Sequence, residues 1–290
     1  MWKEYNITPF KRKTTMKKFY LLLLLIPNLI FAQIIISPYV VYLDNKNQFA
    51  NMIVQNESDE PYEIGISFKF GFPVSDSLGN LTMKYIDEPT SEYPSILNYV
   101  RAFPKKFVLN PRQKQLIGLS IKPPQNLEDG TYWVRIVTSS TKQKTQPLLD
   151  TNNQNLNAQI NFVLNQITTM LYRTENASTG IEVIDTKYYK SPDKLDVVTS
   201  LKRLGNSPFF GDVTVMLYDA NNNLIKTDTQ HVKVFYDLFV KNSFNLSELP
   251  KGKYRAEIKV NHNEKEDIQK IVPIKLIKDN VKNTIEILID

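Results

Sequence analysis

The residues in this chain best placed to act on a partner are not titratable. Cysteine is absent and only two histidines occur, His231 and His262. Neither has a second histidine at the spacings that build a zinc site on one strand or helix. Without a thiol there is no cysteine nucleophile and no thiolate metal site. Asp76, Asp87, Glu88 and Glu92 gather in a loop-rich stretch, but their spacing fits no EF-hand, and they read as a solvated acidic face. No nucleophile-elbow, phosphate-loop or dinucleotide pattern is present. The sequence therefore points away from an enzyme and implies no cofactor and no metal. What remains is an alternation in Ala158-Gln159-Ile160-Asn161-Phe162-Val163-Leu164-Asn165-Gln166-Ile167. On a strand, Ile160, Phe162 and Leu164 share one face, while Gln159, Asn161 and Asn165 lie on the other. Backbone pairing plus an apolar face is the chemistry of lending a strand to another protein. The same alternation would serve equally to pack that face into the chain's own core.

The elements that must position this segment are strands. No long stretch repeats apolar residues at the helical spacing. Short Val/Ile/Tyr/Phe-rich runs recur between Asn, Asp, Gly and Pro. They fall at 34–43, 48–55, 62–70, 81–86, 105–109, 114–121, 131–139 and 158–172, then at 181–189, 194–203, 211–218, 223–227, 231–235, 241–246, 252–260 and 268–276. Sixteen short strands with turn residues between them predict two immunoglobulin-like β-sandwiches in tandem, an all-β fold. The polar stretch 174–180 predicts the boundary, giving domains at 34–175 and 176–290. Asp44-Asn45-Lys46-Asn47 and Asp219-Ala220-Asn221-Asn222-Asn223 predict tight turns, because Asn and Asp tolerate positive φ and bond nearby backbone. A second polar stretch, 141–157, predicts a long loop ahead of the alternating segment.

Residues 1–33 predict a signal peptide. Met16-Lys17-Lys18 precedes the apolar run Phe19 to Ile26, and a cut after Ala32 is indicated, with Met16 as the true start. The apolar run is short and interrupted by Pro27, which argues against a stable membrane span of about 20 residues; an uncleaved anchor is the alternative. The leader also explains the charge. The whole chain has 36 basic and 30 acidic residues, of which six and one lie in the leader, so the remainder carries 30 against 29. A net of +1 removes the compositional case for binding nucleic acid. A secreted, disulfide-free chain implies a periplasmic or extracellular location, the periplasm being the one expected here, with stability supplied by the cores alone.

The first domain resembles the PapD-like periplasmic pilus chaperones. The resemblance rests on an ordered set of pieces: Ser37-Pro38-Tyr39-Val40-Val41-Tyr42-Leu43, then Ile53-Val54-Gln55-Asn56-Glu57-Ser58-Asp59-Glu60-Pro61, then Pro104-Lys105-Lys106-Phe107-Val108-Leu109-Asn110-Pro111, and finally Asp129-Gly130-Thr131-Tyr132-Trp133 and Tyr172-Arg173. It implies a chaperone for pilin-like secreted subunits, working with an outer-membrane usher. It also implies that Ile160, Phe162 and Leu164 are the side chains donated to the client. The family holds its client's terminal carboxylate with a basic pair. The matching positions here are Tyr39 or Val40 and Thr169, none of them basic. Arg101, Arg135 and Arg173 are the substitutes the sequence offers, and Arg173, at the end of the donor strand, is the expected carboxylate anchor. The alternative is a secreted immunoglobulin-like interaction or structural module with no pilin client. An all-β carbohydrate-active protein has no catalytic signature to support it. Trp133 is expected in a sandwich core.

Overall fold

The computed structural model describes residues 33–143, 162–263 and 273–289. Residues 1–32, which hold the predicted leader, lie outside the described residues, as do most of the predicted loop 141–157 and Ile160.

The strands come in two series. The first comprises β1 (Ile34–Ser37), β2 (Val40–Asp44), β3 (Phe49–Asn56), β4 (Tyr62–Ser75), β5 (Leu81–Ile86), β6 (Val100–Phe103), β7 (Lys106–Leu109), β8 (Lys114–Ile121), β9 (Thr131–Lys142) and β10 (Val163–Arg173). They form one sheet in the order β1-β3-β8-β6 and another in the order β2-β10-β9-β4-β5, with β7 also pairing to β4. The second series comprises β11 (Ser178–Lys190), β12 (Lys194–Gly205), β13 (Phe209–Tyr218), β14 (Leu224–Val234), β15 (Asp237–Asn245), β16 (Gly252–His262), β17 (Lys275–Lys278) and β18 (Val281–Ile289). Its sheets run β15-β12-β11-β17 and β14-β13-β16-β18. The all-β, two-sandwich expectation is what the chain adopts.

Period-two burial explains each sandwich. On β3, Met52, Val54 and Asn56 turn inward; on β8, Ile117, Leu119 and Ile121 do. With Ile64, Ile66, Val134, Ile136, Met170 and Tyr172 from the facing sheet they make the first core. Val213, Val215 and Leu217 face Leu195, Val197 and Leu201 in the second. Asn56 is buried, and its amide donates to the carbonyls of Leu109 (3.1 Å), Asn110 (3.1 Å) and Glu60 (2.7 Å). That one side chain fastens the 56–61 corner to the end of β7, and its bond to the Leu109 carbonyl is buried. The Asp44 and Asp219 turns form as expected, each carboxylate accepting two backbone N–H groups.

Details depart from the sequence reading for physical reasons. Pro38 lacks an N–H and divides the predicted 34–43 strand, so the chain leaves one sheet as β1 and enters the other as β2. The predicted strands 223–227 and 231–235 are one strand, β14, whose polar middle sits on a sheet edge. Strands β6 and β18 were not expected. Trp133 is buried, but in neither sandwich core. It packs with Phe70, Phe72, Leu171, Phe210 and Phe235 in a third cluster where the sandwiches meet. A glycine is required at the polar part of the same seam. Gly130 has φ +151°, and a Cβ there would stand 2.6 Å from the carbonyl oxygen of Asn206.

Candidate strand-pairing site

Strand β10 has two different halves. Over its whole length it pairs antiparallel with β9, from Val163 opposite Thr141 to Arg173 opposite Thr131. On its other side it pairs parallel with β2, but only from Thr169 opposite Val40 to Arg173 opposite Asp44. Among the described residues no strand pairs with that side over 163–168. The direction of the open backbone groups follows from the first bond of the parallel ladder. Thr169 N–H donates to the Tyr39 carbonyl at 3.2 Å. Backbone groups alternate sides along a strand, so Val163, Asn165 and Ile167 aim their N–H and C=O groups at the open edge.

The side chains change character at the same place. Thr168, Met170 and Tyr172 are buried on the inward face, and Met170 and Tyr172 belong to the first core. The register with β9 is unbroken, so Leu164 shares that inward face, and Phe162 continues the alternation. Yet Leu164 is 55% exposed and Phe162 81%, while Val163 and Ile167 on the other face are 59% and 49% exposed. Leu164 and Phe162 thus run past the end of the chain's own core. Two of the three residues singled out in the sequence are described, and both stand in solvent beside an open edge.

Between the halves lies Gln166, half-buried, whose amide donates to the Ile34 carbonyl on β1 at 3.1 Å. This bond crosses from one sheet to the other. Sequence reasoning did not pick out Gln166, because the bond depends on where β1 lies.

The arginines separate clearly. Arg101 lies on β6 in the opposite sheet, and its guanidinium folds back onto the carbonyls of Asn98 (2.9 Å) and Val100 (2.7 Å). Arg173 is 3% exposed, and its Nε donates to Thr131 Oγ1 at 3.0 Å inside the seam between the sandwiches. Arg135 stands opposite Thr169, at the residue where the open edge ends. Its Nη1 donates to Thr169 Oγ1 at 2.5 Å, its Nε donates to the Gly71 carbonyl at 2.9 Å, and its Cζ lies 5.1 Å from the Phe235 ring centre. Burial pulls its pKa down to about 10, since a guanidinium in a low-dielectric seam loses hydration. Tyr39, Val40 and Thr169, the positions the resemblance singled out, meet in one register.

The sequence matches no protein-family model and no curated protein. Among solved structures, the fold is similar to pilus chaperones across most of the chain. The CsuC–CsuE chaperone–tip adhesion subunit complex of Acinetobacter baumannii aligns at 11% identity and TM-score 0.45, over 88% of this chain and 98% of that one. The YadV chaperone aligns at 11% identity and TM-score 0.41, over 88% and 100%. The CupB2 chaperone of Pseudomonas aeruginosa aligns at 9% identity and TM-score 0.37, over 88% and 100%.

Proposed function

We propose that the chain is a periplasmic chaperone that holds a strand-deficient secreted β-subunit by pairing with it along the open edge of β10. The observation that carries this reading is the coincidence of a strand edge at 163–168, which no described strand pairs, with exposed apolar side chains at 162, 163, 164 and 167. An open edge with apolar flanks is an aggregation hazard that folded proteins normally blunt. Keeping one open has a purpose if a partner strand is to cover it. The edge supplies backbone hydrogen bonds, and Phe162 and Leu164 extend the chain's own core into a core the client cannot complete alone. Fully burying each such side chain is worth about 1.5–3 kcal/mol. Ile160 extends the same alternation in the sequence. No catalysis and no cofactor enter this function.

Arg135 is the side chain proposed to receive a client carboxylate in place of the expected Arg173. A client strand lying along the open edge must stop where β2 begins, and Arg135 stands at that stop with donors to spare beyond its two bonds. A guanidinium is suited to a carboxylate because its fork offers paired N–H groups.

The test is capture of small β-rich secreted proteins from periplasmic extract by wild-type protein and by Phe162→Asp/Leu164→Asp, with folding of the variant checked by circular dichroism. Loss of the client from a folded variant supports the reading; undiminished capture sinks it. A second reading, a secreted interaction module, is favoured by the outer face of the β1-β3-β8-β6 sheet, where Ile35, Phe49, Ile53, Phe103 and Leu116 are exposed. A partner lost on Phe103→Asp and kept by the β10 variant would favour that module.

A further inference from the structure

The outer face of the β1-β3-β8-β6 sheet is apolar and basic at once. Phe103 is 82% exposed and Phe49 78%, with Leu116, Ile35 and Ile53 exposed beside them. None of the four strands contains an acidic residue. Alternation puts Arg101, Lys114 and Lys122, all exposed, on the same side as those apolar side chains. The bias runs on along the sequence. Residues 93–127, which include β6, β7 and β8, hold six bases and no acid, in a chain that is close to neutral beyond its predicted leader. Asp44, near the Phe49 end, is buried in its own turn. Glu57, Asp59 and Glu60 lie in the corner beyond the opposite end, the first two paired with Arg112 at 3.6 and 2.9 Å.

The shape of the face decides what can cover it. Phe49 lies opposite Ser120, which lies opposite Arg101; Phe103 lies opposite Gly118, on the next outward row. The two aromatic residues are therefore two strands and two residues apart, about 12 Å by strand spacing and rise. Gly118 puts no side chain between them, and the atom nearest to a Cβ there would be the Phe103 carbonyl oxygen at 3.7 Å. The rings are separate projections, not the walls of a groove. A protein partner would need a surface fitted to them. A bilayer needs none, because each ring can enter the headgroup boundary by itself while flanking cations meet anionic headgroups.

We propose that this face is a peripheral docking surface for an anionic lipid bilayer. Phe49 and Phe103 enter at the level of the headgroups, and Arg101, Lys114 and Lys122 lie against lipid phosphates. Nη1 of Arg101 is held by the Asn98 and Val100 carbonyls, which leaves Nε and Nη2 without a bond to the described residues and open to a phosphate. The proposal does not depend on the strand-pairing reading, since β10 belongs to the other sheet.

The chain has no cysteine, so Asn51→Cys, in the Gly118 row of the face, carries a polarity-sensitive dye at one position only. The full chain labelled there is titrated with vesicles of an equal mixture of phosphatidylcholine and phosphatidylglycerol, and with vesicles of phosphatidylcholine alone. The dye emission should shift to the blue with the anionic vesicles, lose that shift as salt is raised, and stay unchanged with the neutral ones. A dye at this position reports this face whatever the leader does. Phe49→Ser/Phe103→Ser should weaken vesicle affinity at least about tenfold, and Lys114→Gln/Lys122→Gln about fivefold for each cation lost. The same dye at Asn165→Cys on β10 should not respond. An equal response to neutral vesicles, a response from the β10 label, or a response that survives both double variants overturns the proposal. So does a dye that stays in water with every vesicle; a secreted protein that shifts it instead would assign the face to a protein partner.

Discussion

The ring centres of Trp133 and Phe235 lie 4.5 Å apart at an interplanar angle of 59°. The two residues belong to different sandwiches, and their contact is the centre of a seam that neither core includes. Phe70 flanks Trp133 at 5.5 Å, Phe72 meets Tyr236 at 4.7 Å, and Trp133 Nε1 donates to the Gly71 carbonyl at 3.1 Å. Tilted aromatic pairs of this kind add to what their burial already contributes. The seam fixes where Arg135 and the closed half of β10 sit.

Trp133→Ala should lower the unfolding free energy by about 3–5 kcal/mol, the usual loss for a buried large aromatic. It should also uncouple the sandwiches. Calorimetry of the wild type is expected to show one transition, and of the variant two. A single transition at an unchanged midpoint would show that the seam does not couple them.

Phe162→Asp/Leu164→Asp should leave stability within about 0.5 kcal/mol of wild type, because both side chains are exposed. Urea unfolding measures this directly. A large loss of stability would mean that these side chains belong to the protein's own core and are not held in reserve for a partner.

Asn56→Ala should cost at least about 2 kcal/mol, since it strips a buried donor from the carbonyls of Leu109 and Asn110. The corner at 56–61 should loosen first, read as faster hydrogen exchange at Ser58, whose N–H now donates to Asn56 Oδ1 at 2.9 Å. Unchanged exchange there would refute the fastening role.

Alkaline pH should unfold the protein through its buried tyrosines. Burial raises the pKa of Tyr62, Tyr132, Tyr172 and Tyr254, and pushes Tyr236, which faces Phe72 and Trp133, up to about 12. Above pH 10 the unfolded chain releases phenolic protons that the folded chain still holds, so stability falls as pH rises from about 10 to about 12. Arg135 acts in the opposite sense. Its folded pKa is depressed to about 10 from 12.5, so its burial penalty eases across the same window, and burial lowers Arg203 in the same sense, two groups against five. Tyr236→Phe should flatten the decline, followed by tyrosinate absorbance against urea midpoint. An unchanged slope would show that Tyr236 titrates normally.

The strands at 81–86 and 114–121 were legible to the residue, because each is a short run rich in apolar residues bounded by turn residues. β6 was not, being four residues between a short 3-10 turn and Pro104, too brief for a period to emerge. β18 opens with Val281-Lys282-Asn283-Thr284, which reads as a polar connection until its pairing with β16 is known. At the proposed site, alternation put Phe162 and Leu164 on one face but left open whether that face packs into the chain's own core. Arg135 could not be ranked above Arg173, because its place opposite Thr169 depends on the register between two strands far apart in sequence. Gln166 was not singled out; it shares the face of Leu164, and only the neighbouring sheet gives its amide a partner.

The crossing at Ser37–Pro38 has a metric consequence. β2 meets β10 only after that crossing, so its position sets how much of β10 stays uncovered. The uncovered stretch, 163–168, spans about 20 Å at roughly 3.3 Å per residue. On the strand-pairing proposal, this stretch acts as a gauge. A visiting strand that is too short leaves apolar side chains wet, and one that is too long collides with Tyr39. Length would then be discriminated by a bend at Ser37–Pro38, more than a hundred residues before the edge it measures.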